Sequence, residues 1–162
     1  MPRVVVVLAL VAVSAATLGL QLFAQKPAAP TATGARFNAC TILPREEVKK
    51  IFPWSVDPIL DKDDEVQFDG GSACIYPSVH VYVGEYSAAK IEAKRKDGPL
   101  TSIAGLGDEA FIQQKGKNWV ELYVKVGRRL LHIETDILGG DTLESVKPSM
   151  IALARAVIAK LR

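Results

Sequence analysis

The feature that most constrains how this chain can fold is its pair of cysteines, Cys40 and Cys74, the only two in the sequence. Both follow an N-terminal segment with the three parts of a secretory signal: a basic start at Arg3, an apolar run over residues 4–22 and a small residue, Ala24. An exported chain reaches an oxidising compartment, where two cysteines most simply pair. The sequence therefore predicts export and a disulfide Cys40–Cys74, which the chain-entropy relation values at roughly 3–4 kcal/mol.

The apolar run leaves two outcomes open for the N-terminus. Residues 1–24 are predicted to be a signal peptide cleaved after Ala24, or a signal anchor, because the run over residues 4–22 approaches the roughly 20 residues that cross a bilayer. The protein is then periplasmic or secreted, or tied to the inner membrane by that run, its only expected membrane contact. The residues before Cys40 do not resemble a lipid-attachment site. Residues 25–36, rich in Pro, Ala and Thr, are predicted as a flexible linker, and residues 37–162 as a single domain.

The hydropathy pattern predicts the fold class. Apolar periodicity and end signals predict helices over residues 44–52 and 87–97 and a C-terminal helix with Asp141 as its cap. Short alternating segments separated by turns predict strands over residues 72–77, 79–86, 110–114, 119–126 and 129–137. Residues 54–71 are predicted as a loop. Because hairpins dominate, we expect an α+β fold, an antiparallel sheet with helices packed on one face.

The charge pattern limits the partners. A formal net charge of +2 gives no strong basic field, so nucleic acid is not an expected partner. Basic residues nevertheless line the predicted middle helix at Lys90, Lys94, Arg95 and Lys96. Such a face fits contact with an anionic lipid or polymer, or simple solvation near a helix C-terminus, where the dipole favours cations.

The two histidines are expected on the sheet face opposite the apolar runs, and Tyr82, Trp119 and Tyr123 either share that face or pack under loops. The candidate contact surface comprises Tyr82, Trp119, Tyr123, His80 and His132. Aromatic side chains at a surface are typical of binding sites. The two histidines, with Glu134, could hold zinc or supply a base, but their wide spacing favours solvent-facing strand residues. No metal, no cofactor and no catalytic residue is therefore predicted.

Two short motifs suggest ligands but fit structural roles better. The segment Gly105-Leu106-Gly107-Asp108-Glu109-Ala110 matches a dinucleotide-binding pattern. A strand rather than a helix is expected to follow it, and its two acids would repel phosphate, so it is predicted as a turn. The acidic run over residues 61–65 lacks the central glycine of a calcium loop and is predicted as solvated loop.

Several motifs together suggest a family. Cys40-Thr41-Ile42-Leu43 is followed by Glu46-Glu47-Val48, Cys74 is followed by Ile75-Tyr76, and the glycine–acid motif continues into Phe111. With the C-terminal helix over residues 152–161, they resemble a small secreted two-cysteine domain of unknown function that is common in actinobacterial envelope lipoproteins. The resemblance implies an exported α+β domain with a disulfide and no established activity. The chain lacks a lipid-attachment cysteine, so membrane anchoring is not implied.

These observations predict a non-catalytic binding or interaction domain of the cell envelope, with an envelope protein or a small ligand as its partner. Two alternatives stay open: a small hydrolase that uses His80 or His132, and an inhibitor or assembly factor of another exported protein. An enzyme needs a concave site that joins a histidine to a carboxylate or nucleophile. A binding domain needs an exposed aromatic patch or a groove.

Overall fold

A computed structural model describes residues 38–53, 64–68, 71–137 and 139–162. The predicted signal segment 1–24, the predicted linker 25–36 and residues 61–63 of the acidic run lie outside these ranges. The helices are α1 (Ala39–Ile42), α2 (Arg45–Ile51), α3 (Ala88–Asp97) and α4 (Leu143–Leu161). The strands are β1 (Asp64–Phe68), β2 (Gly71–Ile75), β3 (Val79–Glu85), β4 (Thr101–Ser102), β5 (Glu109–Lys115), β6 (Trp119–Val126) and β7 (Arg129–Asp136). None of the helices in the described ranges is both long and apolar enough to cross a bilayer.

The seven strands form one sheet in the order β1-β2-β3-β7-β6-β5-β4. Every neighbouring pair is antiparallel. Two meanders, β1–β3 and β4–β7, therefore meet where β3 pairs with β7, and α3 lies in the connection between them. The predicted class, a single α+β domain built on an antiparallel sheet, is confirmed.

One face of this sheet forms the main core with α4. Alternation along the central strands turns Val81, Leu122 and Ile133 to this face, and each is at most 1 % exposed. Helix α4 supplies a buried stripe that includes Leu153 and Val157. Helices α1 and α2 join the same core, so burial of one continuous apolar layer holds three helices to the sheet.

The predicted disulfide is present and joins α1 to β2. Cys74 is fully buried in the main core, and its partner Cys40 packs against it. Two hydrogen bonds fasten the same segments: the Tyr76 hydroxyl donates to the Leu43 carbonyl, and the Ala39 N–H donates to Ser72 Oγ at 3.1 Å. The crosslink therefore reinforces a contact that hydrogen bonding and burial also support.

Several details differ from the sequence prediction, which contained neither α1 nor β4. Strand β1 lies inside the predicted loop 54–71 and pairs with β2 at the sheet edge, because backbone pairing there does not require an apolar sequence. Helix α4 begins one residue later than expected, at Leu143, with a capping box between Thr142 and Ser145 rather than a cap at Asp141. Helix α3 packs on the face opposite α4, where Ile91 contacts Phe111 and Tyr123, so not all helices share one face.

The glycine–acid motif forms the predicted turn before β5. Gly105 and Gly107 have φ angles of 72° and 63°, a region that residues with a Cβ rarely adopt. Asp108 then joins two hairpins: its N–H donates to the Lys125 carbonyl at 2.8 Å, and its Oδ2 accepts from the Gly127 N–H at 2.6 Å. The acid of the motif therefore holds the β6–β7 turn.

Candidate functional site

The face of the sheet opposite α4, here called the polar face, carries two cross-strand rows of aromatic and titratable side chains. Strand register sets both rows across β3, β7, β6 and β5. The aromatic row is Tyr82–His132–Tyr123–Phe111 and the charged row is His80–Glu134–Glu121–Gln113. Directly opposed residues in antiparallel strands have neighbouring Cβ atoms, so the side chains of each row are in contact.

His132 lies between two tyrosine rings. Its ring stacks on Tyr123 with centroids 4.4 Å apart and on Tyr82 with centroids 5.1 Å apart. Only 16 % of its side chain is exposed, and its Nε2 is buried with no hydrogen-bond partner. Burial lowers the pKa of His132 to about 4, although the nearby carboxylates of Glu134 and Glu121 favour its charged form. The imidazole is therefore neutral at neutral pH.

Glu134 is the centre of a hydrogen-bonded group beside this histidine. Its Oε2 accepts from the Tyr82 hydroxyl at 3.2 Å and from His80 Nδ1 at 3.3 Å. Burial opposes ionisation of the carboxyl, but the bond from His80, the field of His132 and the bond from Tyr82 outweigh it and lower the pKa of Glu134 to about 2. Burial and the Glu134 carboxylate raise the pKa of Tyr82 to about 12. Glu134 is thus a carboxylate that faces a neutral tyrosine.

Glu121 is a carboxyl-bearing side chain buried within the sheet, only 1 % exposed. Its Oε2 accepts from the Tyr123 hydroxyl at 2.7 Å and from Gln113 Nε2 at 3.0 Å. Its Oε1 lies 3.5 Å from Lys94 Nζ and 3.6 Å from Lys115 Nζ. Burial and the hydrogen bond to Glu121 raise the pKa of Tyr123 well above its ordinary value. A buried carboxylate needs such partners to offset its desolvation.

Two cavities open on the polar face. The first, the α3 groove, has a volume of about 270 Å³ and lies between α3 and strands β3, β6 and β7. Its apolar and aromatic lining comprises Tyr82, Gly84, Ile91, Ala93, Tyr123 and Leu130. The second, the hairpin cavity, has a volume of about 430 Å³ and lies beside the β5–β6 turn. Its lining includes His80, Trp119, Glu121 and Glu134. Tyr82 lines both, so the cavities adjoin.

The structure places all five residues of the predicted contact surface on the polar face. His80, Tyr82 and Trp119 line the hairpin cavity, and Tyr82, Tyr123 and His132 line the α3 groove. Trp119 is 37 % exposed and its ring centroid lies 5.7 Å from that of His80. The expectation that both histidines face solvent is wrong for His132, because the rings of Tyr82 and Tyr123 stack on its imidazole and its Nε2 is buried.

Glu121, which organises the charged row, and its partner Gln113 were not among the residues predicted from the sequence. A signal was present: Glu121 alternates with the apolar residues of β6, which places it on the same face as Trp119 and Tyr123. The basic helix face also differs from the simple expectation, because Lys94 turns inward to Glu121 and Arg95 lies 4.8 Å from the centre of the Phe111 ring. These cations fasten α3 to the sheet.

Comparison of the chain with protein-family models, with curated proteins and with solved structures finds no match. The function is therefore argued from the geometry of the polar face.

Proposed function

We propose that this protein is an exported, non-catalytic binding domain that takes a small amphipathic acid in the α3 groove. The observation that carries the proposal is the groove itself: an apolar cavity of about 270 Å³ between a helix and the polar face. Sites for small molecules are concave and mostly apolar, with a few polar groups that orient the ligand, and this volume suits a ligand smaller than a typical drug.

The loose attachment of α3 supports a ligand beneath it. Ile91 is the buried apolar residue of this helix, and its other contacts with the sheet include the Lys94–Glu121 ion pair, the approach of Lys94 to the Tyr123 ring and the Arg95–Phe111 contact. An element held by so few apolar contacts moves at low cost in free energy. Small movements of α3 would admit a ligand without disturbing the main core on the other side of the sheet.

The charge at the groove favours an acidic head group. Lys90 and Lys94 both line it, and among the described residues Lys90 is in no ion pair, whereas Lys94 is already paired with Glu121. The lining acid Glu85 lies opposite Arg129 in the β3–β7 register. A carboxylate or phosphate on the ligand would therefore pair with Lys90, while its apolar part contacts Ile91 and Leu130.

A fluorescence titration tests this assignment. The probe is anilinonaphthalene sulfonate, an amphipathic aromatic anion, added to the full chain and then displaced with decanoate. Ala93→Phe fills the groove, and Ala88→Phe makes the same change at an exposed position of α3 that does not line it. We expect Ala93→Phe to weaken probe binding at least about tenfold, or about 1.4 kcal/mol, and Ala88→Phe to leave it unchanged. Equal binding by the two variants would contradict the proposal.

Export is part of the proposal, and the disulfide supports it because disulfides persist in oxidising compartments. Intact-mass measurement on protein recovered from a bacterial host distinguishes cleavage after Ala24 from a retained anchor. It also measures the oxidation state of Cys40 and Cys74. Reduced protein found only in the cytoplasm would contradict export, whichever N-terminus it carried.

A second candidate function, a small hydrolase, is favoured by one observation. His80 lies 3.3 Å from the Glu134 carboxylate within the hairpin cavity, which is the histidine–carboxylate pair that general base catalysis uses. Within the described residues, the hydrogen-bond and ring contacts of His80 are with Glu134, Tyr82 and Trp119, and none of these three is a serine, threonine or cysteine nucleophile. Turnover of ester substrates that is lost in His80→Gln would support the hydrolase over the binding domain.

A further inference from the structure

We propose that Glu121, His132 and Glu134 form a binding site for a divalent transition metal, with Zn²⁺ as its representative ion. One ligand atom from each residue lies within 4.8 Å of the other two. His132 Nε2 lies 3.4 Å from Glu134 Oε1 and 3.9 Å from Glu121 Oε1. Ligand atoms about 2.0–2.1 Å from a tetrahedral zinc are about 3.3 Å apart, so the separation of His132 from Glu134 fits and that from Glu121 needs a movement of about half an ångström. The carboxylate oxygens of Glu121 and Glu134 lie within 4.8 Å of each other and would move closer together on the ion.

The histidine supplies the second observation. Its Nε2 is buried, has no hydrogen-bond partner and is directed between two carboxylates. A buried polar atom without a partner is costly, and a metal ion would remove that cost. Stacking between Tyr82 and Tyr123 fixes the ring plane, so the nitrogen is already oriented toward the site.

The surrounding hydrogen bonds have the pattern of an outer shell around a metal. Each carboxylate uses Oε2 for neighbouring donors and directs Oε1 toward His132. Gln113 and Tyr123 hold Oε2 of Glu121. His80 and Tyr82 hold Oε2 of Glu134 in the same way. Partners of this kind orient the ligands and raise metal affinity by about 10–100-fold.

Two lysines compete for the same carboxylate. Lys94 and Lys115 lie 3.5 Å and 3.6 Å from Glu121 Oε1, where a metal would bind. Their side chains are 30 % and 53 % exposed, so both can turn toward water when a cation of higher charge arrives. Glu121 and Glu134 line the hairpin cavity, which gives the ion a path from solvent and room for water as a further ligand.

Zinc titration of the full chain, without an affinity tag and against a chromophoric chelator, tests the site. We expect one Zn²⁺ per chain, and a loss of at least about 100-fold in affinity for His132→Gln and for Glu134→Gln. Glu109→Gln is the matched control, because Glu109 is an exposed acid on the same face, beyond the cluster. Lys115→Met should tighten binding, since it removes the more exposed competing cation.

Two further measurements distinguish this site from a surface site. His80→Gln should weaken zinc by about tenfold, as expected for an outer-shell residue, whereas a surface site built on His80 would lose zinc in this variant and keep it in His132→Gln. Nitrogen NMR of the His132 ring gives a readout that needs no variant to fold. A large zinc-dependent shift of Nε2 supports the proposal. Stoichiometric zinc binding without that shift, or no zinc binding, overturns it.

Discussion

Removal of the crosslink between Cys40 and Cys74 offers a quantitative test of how the domain is stabilised. The two residues are 34 apart in the sequence, and the chain-entropy relation for a loop of that length gives about 13 cal/mol/K, or about 4 kcal/mol at room temperature. That is a large share of the 5–15 kcal/mol that typical domains have. The effect resides in the unfolded chain, because the crosslink restricts it most.

Urea unfolding of the oxidised protein, compared with the same protein after reduction, measures this quantity. With a slope of about 1.5 kcal/mol per molar urea, the midpoint should fall by about 2.5 M on reduction. The double variant Cys40→Ala/Cys74→Ala should fall slightly further, since it also removes two packed sulfur atoms.

The native structure should remain after the disulfide is reduced. This outcome distinguishes an effect on the unfolded chain from a loss of contacts between α1 and β2 in the folded protein. The Ala39–Ser72 and Tyr76–Leu43 hydrogen bonds join α1 and β2 independently of the sulfurs. We therefore expect native-state amide protection patterns to remain, with lower protection throughout. A loss below about 1 kcal/mol on reduction would contradict the entropic origin of the stabilisation, because the unfolded chain would then already hold the two segments together.

Two further predictions concern single residues. Gly107→Ala should lower the free energy of unfolding by at least about 2 kcal/mol, measured by heat or urea, because φ is 63° and an added Cβ would lie 2.5 Å from the Lys125 carbonyl oxygen. The control Gly105→Ala, where φ is 72° but the space around the Cβ is open, should lower it by about 1 kcal/mol. Equal losses in the two variants would contradict the close approach at Gly107. Tyr123→Phe should lower the free energy of unfolding by about 1.5–3 kcal/mol, because it removes a 2.7 Å hydrogen bond to the buried carboxyl group of Glu121. The control Tyr86→Phe removes an exposed 3.5 Å contact with Glu109 and should change this free energy by less than about 0.5 kcal/mol. A loss in Tyr123→Phe no larger than that of the control would contradict the stabilising role of the Tyr123–Glu121 bond.

Much of the polar face follows from local sequence. The turn Gly127-Arg128 fixes the register of the β6–β7 hairpin, so counting outward from it pairs Tyr123 with His132 and Glu121 with Glu134. The position of Glu121 beside Glu134 could therefore have been predicted from the sequence by counting residues from that turn.

The contacts that complete the site depend on pairing between distant segments. His80 meets Glu134 only because β3 pairs with β7, and no turn joins those strands. Inferring strand register from a turn is sensitive to an error of one residue, as the β5–β6 turn illustrates. The sequence predicted that the first strand ends at Gln114, whereas in the structure Lys115 still pairs with Trp119. A register shift of one residue would place every side chain of a strand on the opposite face of the sheet. The sheet face on which α3 packs could not be predicted either, because Ile91 is the one buried residue of this highly charged helix.

A methyl NMR titration of the full chain with decanoate tests most directly whether the α3 groove is the ligand-binding site. Ile91 and Leu130 line the groove, and Ile103 and Leu143 pack against the core on the other side of the sheet. We predict saturable shifts, and contacts with the ligand, for the methyl groups of Ile91 and Leu130 alone among these four. Unchanged Ile91 and Leu130 signals at saturating ligand would contradict it.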